Sequence, residues 1–300
     1  TYKQKLKLMN NYRQSCLLLN KPSGISSNDV LTKVKKKINQ KKAGFSGTLD
    51  PLASGLLIIF FNKATKLCSF FLNSSKSYEA VIKLGLTSST GDLDGKIKTT
   101  NITPNLKNLN TIEKKYLGEV FQVPPMYSAL KYKGVRLYEY ARKGISIDRK
   151  PRKIVIHDLK LSVLNDKELF LQVKCSKGTY IRTLAEQIGK DLGSGGTVTK
   201  LTRTSISDVS LDNSIELEKF LNSSEEEIFH KYMINVDQLL IDTKSYYLSD
   251  YEVPKILNGN SIKTEEKPLN IVKMYDKNNV FLGIGEINEN YELLPRKILI

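Results

Sequence analysis

The sequence predicts an α+β protein that ends in a small β-rich module, and three observations carry that reading. Short apolar or alternating runs of strand length recur through the first two hundred residues. Amphipathic helical stripes are interspersed with them, at 26–38 and 181–192. From Tyr246 onward, brief β-like runs alternate with Gly, Asn and Asp turns, which suggests a small all-β module joined near Lys244. At 300 residues the length suggests about two domains.

Residues 1–14 are polar and basic and are expected to be flexible. Residues 17–19 read as a short buried strand ending in the turn composition of Lys21, Pro22, Ser23 and Gly24. Ser26, Ser27 or Asn28 then caps a helix whose apolar positions Val30, Leu31, Val34 and Ile38 keep helical spacing. Residues 44–55 read as a Gly-rich loop and 56–61 as a buried strand. In 77–84, Tyr78, Ala80, Ile82 and Leu84 share one face of a strand, and 88–95 form a polar turn. Leu169, Leu171, Val173 and Cys175 alternate as a half-buried strand. A helix follows with the stripe Ile181, Leu184, Ala185, Ile188 and Leu192, stopped by Gly193. Residues 215–245 read as a more acidic helical stretch.

Composition narrows the function classes. The formal charge is +16, and the first 200 residues alone hold 36 Lys and Arg against 14 Asp and Glu. A surplus of that size suits a polyanionic partner, most often nucleic acid. Three cysteines far apart in sequence argue against a disulfide framework or a four-Cys zinc site and favour a reducing compartment. The longest apolar run, 56–61, is too short to span a bilayer, and no signal peptide is expected, so the reading is a cytoplasmic protein.

Familiar chemistries fail by count or spacing. Only His157 and His230 are present, and no H-E-x-x-H occurs. Lys177, Gly178 and Thr179 stand in the wrong order for a Walker A loop, and Val198 replaces the third glycine of a dinucleotide fingerprint. Asp92, Asp94 and Gly95 do not complete a calcium loop. Thr48 stands where G-x-S-x-G needs its second glycine. What remains is 44–56, G-F-S-G-T-L-D-P-L-A-S-G-L, where Pro51 pushes Asp50 toward an extended conformation on a stiffened loop edge. Alone, Asp-Pro reads as a helix N-cap followed by Pro at N1.

The whole string resembles the G-x-x-G-x-L-D-P-x-A-x-G-x-L signature of the TruB family, the bacterial tRNA pseudouridine-55 synthases. Other stretches resemble that family in the same order: Lys21, Pro22, Ser23 and Gly24 with Ser26, Ser27 and Asn28; Lys76, Ser77, Tyr78, Glu79 and Ala80; Leu84 and Gly85 through Thr87 to Asp92 and Gly95. Pro124 to Lys131 resembles its RNA-gripping insertion, Cys175 to Arg182 its third catalytic motif, and Leu201 with Arg203 its leucine motif. The likeness runs from about 15 to 205 and continues more weakly to the end.

The resemblance implies a pseudouridine synthase fold, a mixed central sheet flanked by helices, with a catalytic domain over 15–245 and a PUA-like domain over 246–300. It implies isomerisation of the T-loop uridine of tRNA by base flipping, without metal or nucleotide cofactor, by a chain expected to be a monomer. Asp50 is then the catalytic nucleophile or base, and Arg182 its partner, expected to lower its pKa. Arg182 also falls in the first turn of its predicted helix, where a cation meets the positive dipole end; a residue breaking a local rule is a site candidate. Tyr78 is expected against the flipped uracil, and Tyr180 and Leu201 as pocket wall. Lys21 is expected to touch phosphate or brace the pocket and Asp92 to fix RNA or a loop, and Pro22 is carried over with them as a substrate-binding residue. Read in isolation, Arg182 is an exposed side chain snorkelling over the strand, and Tyr78, Tyr180, Leu201, Lys21 and Asp92 are ordinary core or turn residues.

One position departs from the family. Phe45 stands where the family usually carries His, keeping an aromatic plane and losing both ring nitrogens. Activity is expected to survive with weaker RNA binding, and a Phe45→His variant to bind more tightly. The insertion at 122–150 interleaves Lys131, Lys133, Arg136, Arg142, Lys143, Arg149 and Lys150 with Tyr127, Tyr132, Tyr138 and Tyr140, a composition suited to phosphate contact and stacking. It is expected to be mobile without RNA and to order on the T-arm. Two other classes stay open: a non-catalytic tRNA-binding or folding module, and a guide-RNA-dependent relative, which the short N-terminus and lack of a basic tail disfavour.

Overall fold

The computed structural model describes residues 14–300; the N-terminal stretch expected to be flexible lies, but for Gln14, outside the described residues. The main sheet has eleven strands among the described residues. Those that matter for the site are β1 (Ser15–Lys21), β2 (Ala43–Phe45), β3 (Ser54–Phe61), β4 (Lys76–Leu84), β5 (Gly118–Gln122), β6 (Arg152–Asn165), β7 (Glu168–Cys175), β8 (Gly196–Ile206) and β9 (Ile215–Glu216). Their order is β9-β1-β3-β8-β4-β7-β6-β5, with β2 paired to β3. The sheet is mixed: β8 runs parallel to β3 through Thr202↔Ser54 and antiparallel to β4 through Arg203↔Tyr78. That junction brings the loop before β3 beside the aromatic face of β4.

Helix α1 (Ser27–Lys37) begins at Ser26, whose side-chain oxygen accepts the Asp29 N–H at 3.1 Å. It turns Val30 and Val34 onto Leu17, Leu19, Leu57, Ile59 and Phe61 of β1 and β3. The intervening residues Cys16, Leu18, Leu56, Ile58 and Phe60 face the other way, onto Phe281, Ile284 and Leu299 near the C-terminus. Burial on both faces is why 56–61 is continuously apolar instead of alternating. Helix α2 (Ile181–Asp191) packs Leu184, Ala185 and Ile188 over Ala80, Ile82, Leu169 and Leu171, and Gly193 ends it at φ +81°.

The C-terminal residues form a second, five-stranded sheet from β10 (Ser245–Leu248), β11 (Ile262–Lys263), β12 (Leu269–Asp276), β13 (Phe281–Ile287) and β14 (Glu292–Ile298), ordered β10-β12-β13-β14-β11. Its first strand, β10, begins at Ser245. The module is not all-β, since helix Glu252–Leu257 packs Ile256 into its core. Two other expectations need correction. The start of the supposed 44–55 loop is strand β2, which gains backbone partners along Phe60 and Ile59. The acidic stretch is helical but not continuous: short helical segments Leu217–Asn222, Glu225–Glu227, Ile228–Tyr232 and Val236–Leu239 are broken by Met233–Asn235, which pairs with β1, because its apolar residues must reach two different clusters. No helix among the described residues is long and apolar enough to cross a membrane.

Candidate active site

The loop between β2 and β3 is held from below by the β1–α1 turn. The Ser27 hydroxyl donates to the Leu49 carbonyl and accepts its N–H, both at 2.9 Å. Gly24 N–H donates to the Pro51 carbonyl at 2.8 Å, and the Ser23 hydroxyl to Leu52 at 2.7 Å. The fully buried Lys21 ammonium spreads its three protons over the carbonyls of Pro22, Ile25 and Pro51. Gly55 has φ +107°, and a Cβ there would stand 2.3 Å from the Arg203 carbonyl, so only glycine lets β3 leave the loop this close to β8. The result is a fixed loop whose Asp50 side chain keeps 42% of its surface exposed to a cleft of about 270 Å³.

Arg182, in the first turn of α2, ties four segments together. Its Nη2 lies 2.9 Å from the Asp50 carboxylate and donates to the Tyr127 carbonyl at 2.9 Å. Its Nη1 donates to Thr90 at 2.6 Å, and its Nε stands 3.5 Å from the Asp92 carboxylate. The guanidinium is buried, not a side chain snorkelling over a strand. Two carboxylates and two carbonyls offset the unfavourable dipole at the helix start. Asp92, itself buried, accepts from the Thr90 hydroxyl at 2.5 Å and from Asp94 N–H at 3.2 Å, so it fixes the 88–95 turn as well as Arg182.

The electrostatic balance at Asp50 differs from the expected one. Burial pushes its carboxyl above the ordinary carboxylate range; Arg182 pulls it down, Asp92 pushes it up, and the net direction is upward. The Arg182 pair lowers the pKa as expected without overcoming desolvation. Burial likewise pushes the phenols of Tyr78 and Tyr180 up.

Asp50, Tyr78, Tyr180, Arg182 and Leu201 all line the one cleft. Tyr180 is pinned by buried Gln122, which donates to its carbonyl at 3.1 Å and accepts its N–H at 2.8 Å. Leu201 is buried on β8 opposite Ala80. Lys21 and Asp92 sit behind the cleft as braces, and Lys21 is buried away from any solvent phosphate. Pro22 is exposed on the turn beneath the loop. Phe45 is not brought into the cleft: it is half-buried on β2 against the α1 cluster. Lys76 and Arg203 do line the cleft, yet no site role was expected of either. The signal available was a Lys and an Arg at inward positions of strand patterns. Lys76 is buried with its ammonium on the carbonyls of Phe71, Leu72 and Ser74, and burial lowers it to about 8. Gln122 carries no signal in sequence.

Residues 35–181 match the family model described as TruB family pseudouridylate synthase (N terminal domain), and 245–299 match Pseudouridine synthase II TruB, C-terminal. The chain is 42% identical over 292 residues to the tRNA pseudouridine synthase B of Nitrosomonas europaea, covering 94% of each. It is 39% identical over 288 residues to that of Aquifex aeolicus, covering 95% of this chain and 99% of the relative. Its fold is similar to a chain of a Cbf5-Nop10-Gar1 complex, with TM-score 0.73 and 20% identity over 98% of this chain and 87% of that one. A chain of an H/ACA RNP bound to a substrate RNA containing 2'-deoxyuridine is equally similar in fold, with TM-score 0.73 and 18% identity over the same shares.

Proposed function

The chain belongs to the TruB family of pseudouridylate synthases, and on that premise we propose that it isomerises uridine to pseudouridine in tRNA, at T-loop position 55. The observation that carries this reading is a partly exposed carboxylate, Asp50, held 2.9 Å from a buried guanidinium in a cleft walled by Tyr78, Tyr180 and Leu201. The chemistry breaks the bond from the ribose anomeric carbon to N1, forms one to C5, and exchanges the C5 proton for one on N1. A reaction of this kind needs a carboxylate and a water-poor pocket for a base turned out of its stack. Arg182 keeps Asp50 oriented and offsets part of the desolvation that raises its pKa. Tyr78 and Tyr180 offer aromatic faces to the extruded uracil. The reading calls on no metal or nucleotide.

In this reading 15–245 is the catalytic domain, 122–150 its RNA grip and 246–300 an accessory PUA-like module, in a monomer acting in the cytoplasm. The exposed hairpin residues Lys131, Lys133 and Arg136 and helix Leu137–Arg142 present cations beside Tyr132 and Tyr138. Identity of about 40% to relatives named tRNA pseudouridine synthase B favours this over the guide-RNA-dependent alternative; to the chain of the Cbf5-Nop10-Gar1 complex the likeness is in fold alone. Purified protein alone should convert the T-loop uridine of an unmodified tRNA transcript, read as tritium released from C5. Asp50→Asn should abolish turnover and leave tRNA affinity within roughly tenfold, because phosphate contacts dominate binding. Equal turnover by the two proteins would remove Asp50 from the chemistry; dependence on an added guide RNA would select the other class.

A further inference from the structure

Arg203 is the largest fully buried side chain among the described residues, at 1% exposure, and no carboxylate there lies within ion-pair distance of it. Its Nε donates to the Leu56 carbonyl at 2.8 Å and its Nη2 to the Gly47 carbonyl at 3.0 Å. Those carbonyls flank the Asp50 loop, one at each end. Directly across the strand pair stands Tyr78, which lines the same cleft and is electrostatically coupled to the guanidinium. A buried cation without a counter-ion is costly, so this arrangement calls for a reason beyond packing.

A guanidinium only donates. The phenol oxygen that meets it must therefore accept, and the phenolic proton has to point elsewhere. The other titratable groups facing Tyr78 are Cys175 on β7 and Asp50 on the loop. Cys175 is a neutral thiol, pushed up to about 11 by burial, and is turned toward the Lys76 carbonyl at 3.7 Å. The Lys76 ammonium is taken up by three carbonyls. The cleft and Asp50 are left for the proton.

We propose that Arg203 is a positioning residue of the reaction: by donating to Tyr78 it turns the phenolic O–H into the cleft, and by bridging Leu56 and Gly47 it closes the base of the loop that presents Asp50. This rests on the isomerase reading of the site, and it assigns Tyr78 an oriented hydrogen-bond donor as well as a stacking face. The same contact makes the phenol easier to ionise than burial alone would allow.

Three measurements test it. Tyr78→Phe removes the proposed side-chain acceptor of Arg203 and should lower the melting temperature more than Tyr180→Phe does; a Tyr78→Phe protein as stable as wild type overturns the pairing. Fluorotyrosine placed at position 78 and titrated by 19F NMR should ionise at higher pH in Arg203→Gln than in the otherwise wild-type chain, with Arg203→Lys between them; one shared midpoint overturns the proposal. In kinetics, Arg203→Gln should lower kcat roughly 100-fold, the scale of a misplaced proton donor, while tRNA Kd changes less than about threefold. Its effect should vanish largely in a Tyr78→Phe background, whereas additive losses overturn the coupling. The melting comparison needs no Arg203 variant to fold. Neither it nor the titration needs activity, so a wild-type chain that forms no pseudouridine sinks the isomerase reading and leaves the Arg203–Tyr78 pairing to be judged by them.

Discussion

Asp50 sits between opposing influences, and their balance sets how the site responds to pH. Burial raises its pKa, Arg182 lowers it, and burial prevails. A carboxylate raised in the folded state is ionised only above that raised value, so the fold bears the cost of its charge above the folded pKa and sheds it as pH falls through it. If the ionised form is the active one, kcat/KM falls on acidification along a limb above the ordinary carboxylate range. Arg182→Gln removes the lowering influence and should carry that limb to still higher pH. Arg182→Lys keeps the charge and loses the fork that joins Asp50, Thr90, Asp92 and Tyr127, and should cost about 100-fold in kcat/KM through misplacement of Asp50. A pH–rate profile of tritium release for wild type and both variants checks this; a limb unmoved in Arg182→Gln would show that Asp50 is not the titrating group.

At the level of elements, the site is a set of loops pinned by strand ends, and one pin was invisible in sequence. Gln122, the last residue of β5, holds both backbone groups of Tyr180. Gln122→Leu leaves the Tyr180 N–H unpaired, while its carbonyl keeps the Leu184 N–H, and should cost about 2 kcal/mol in denaturant unfolding, with a fall in kcat as Tyr180 loosens. Stability equal to wild type would show that water replaces the amide. Elements with a clean period were legible: α1, α2, β3, β4 and β7 stand where the spacing of their apolar residues puts them. Strand β6 was not, because a bulge between Ile156 and Asp158 moves its inward positions from Ile154 and Ile156 to Leu159 and Leu161 and breaks the alternation. Strand β8 was not, because it serves the site: it buries Thr197 and Arg203 and bulges twice, so its sequence reads as polar loop. Asp50, Tyr78, Tyr180 and Leu201 could be singled out only because whole motifs resembled a family; Arg182 carried one further signal, a cation at the positive end of its helix. No local pattern joins residues on four segments, and the buried roles of Lys21, Arg203 and Gln122 depend on carbonyls that sequence does not display.

The whole molecule separates anchoring from steering. The C-terminal sheet shares an apolar cluster with β1 and β3 through Phe281, Ile284 and Leu299, so it stiffens the back of the sheet that carries the site. Its charge contributes little: residues 246–300 hold 7 Lys and Arg against 8 Asp and Glu, whereas 1–200 hold 36 against 14. If phosphate neutralisation supplies most tRNA affinity, every cation withdrawn from a phosphate flattens the slope of log K against log salt by roughly 0.7 to 0.9. Replacing the exposed Lys131, Lys133 and Arg136 with Gln should therefore flatten the slope by roughly 2 to 3 and weaken binding at low salt. At saturating tRNA, kcat should hold, because none of the three lines the cleft. The matching change of the exposed Lys263, Lys267 and Lys277 in the C-terminal sheet should leave the slope almost unchanged. Binding isotherms at several salt concentrations for the two triple variants decide the matter. An equal loss from both would make the C-terminal sheet a principal RNA surface in spite of its near-neutral balance, and would move the electrostatic footprint from the first two hundred residues to the entire chain.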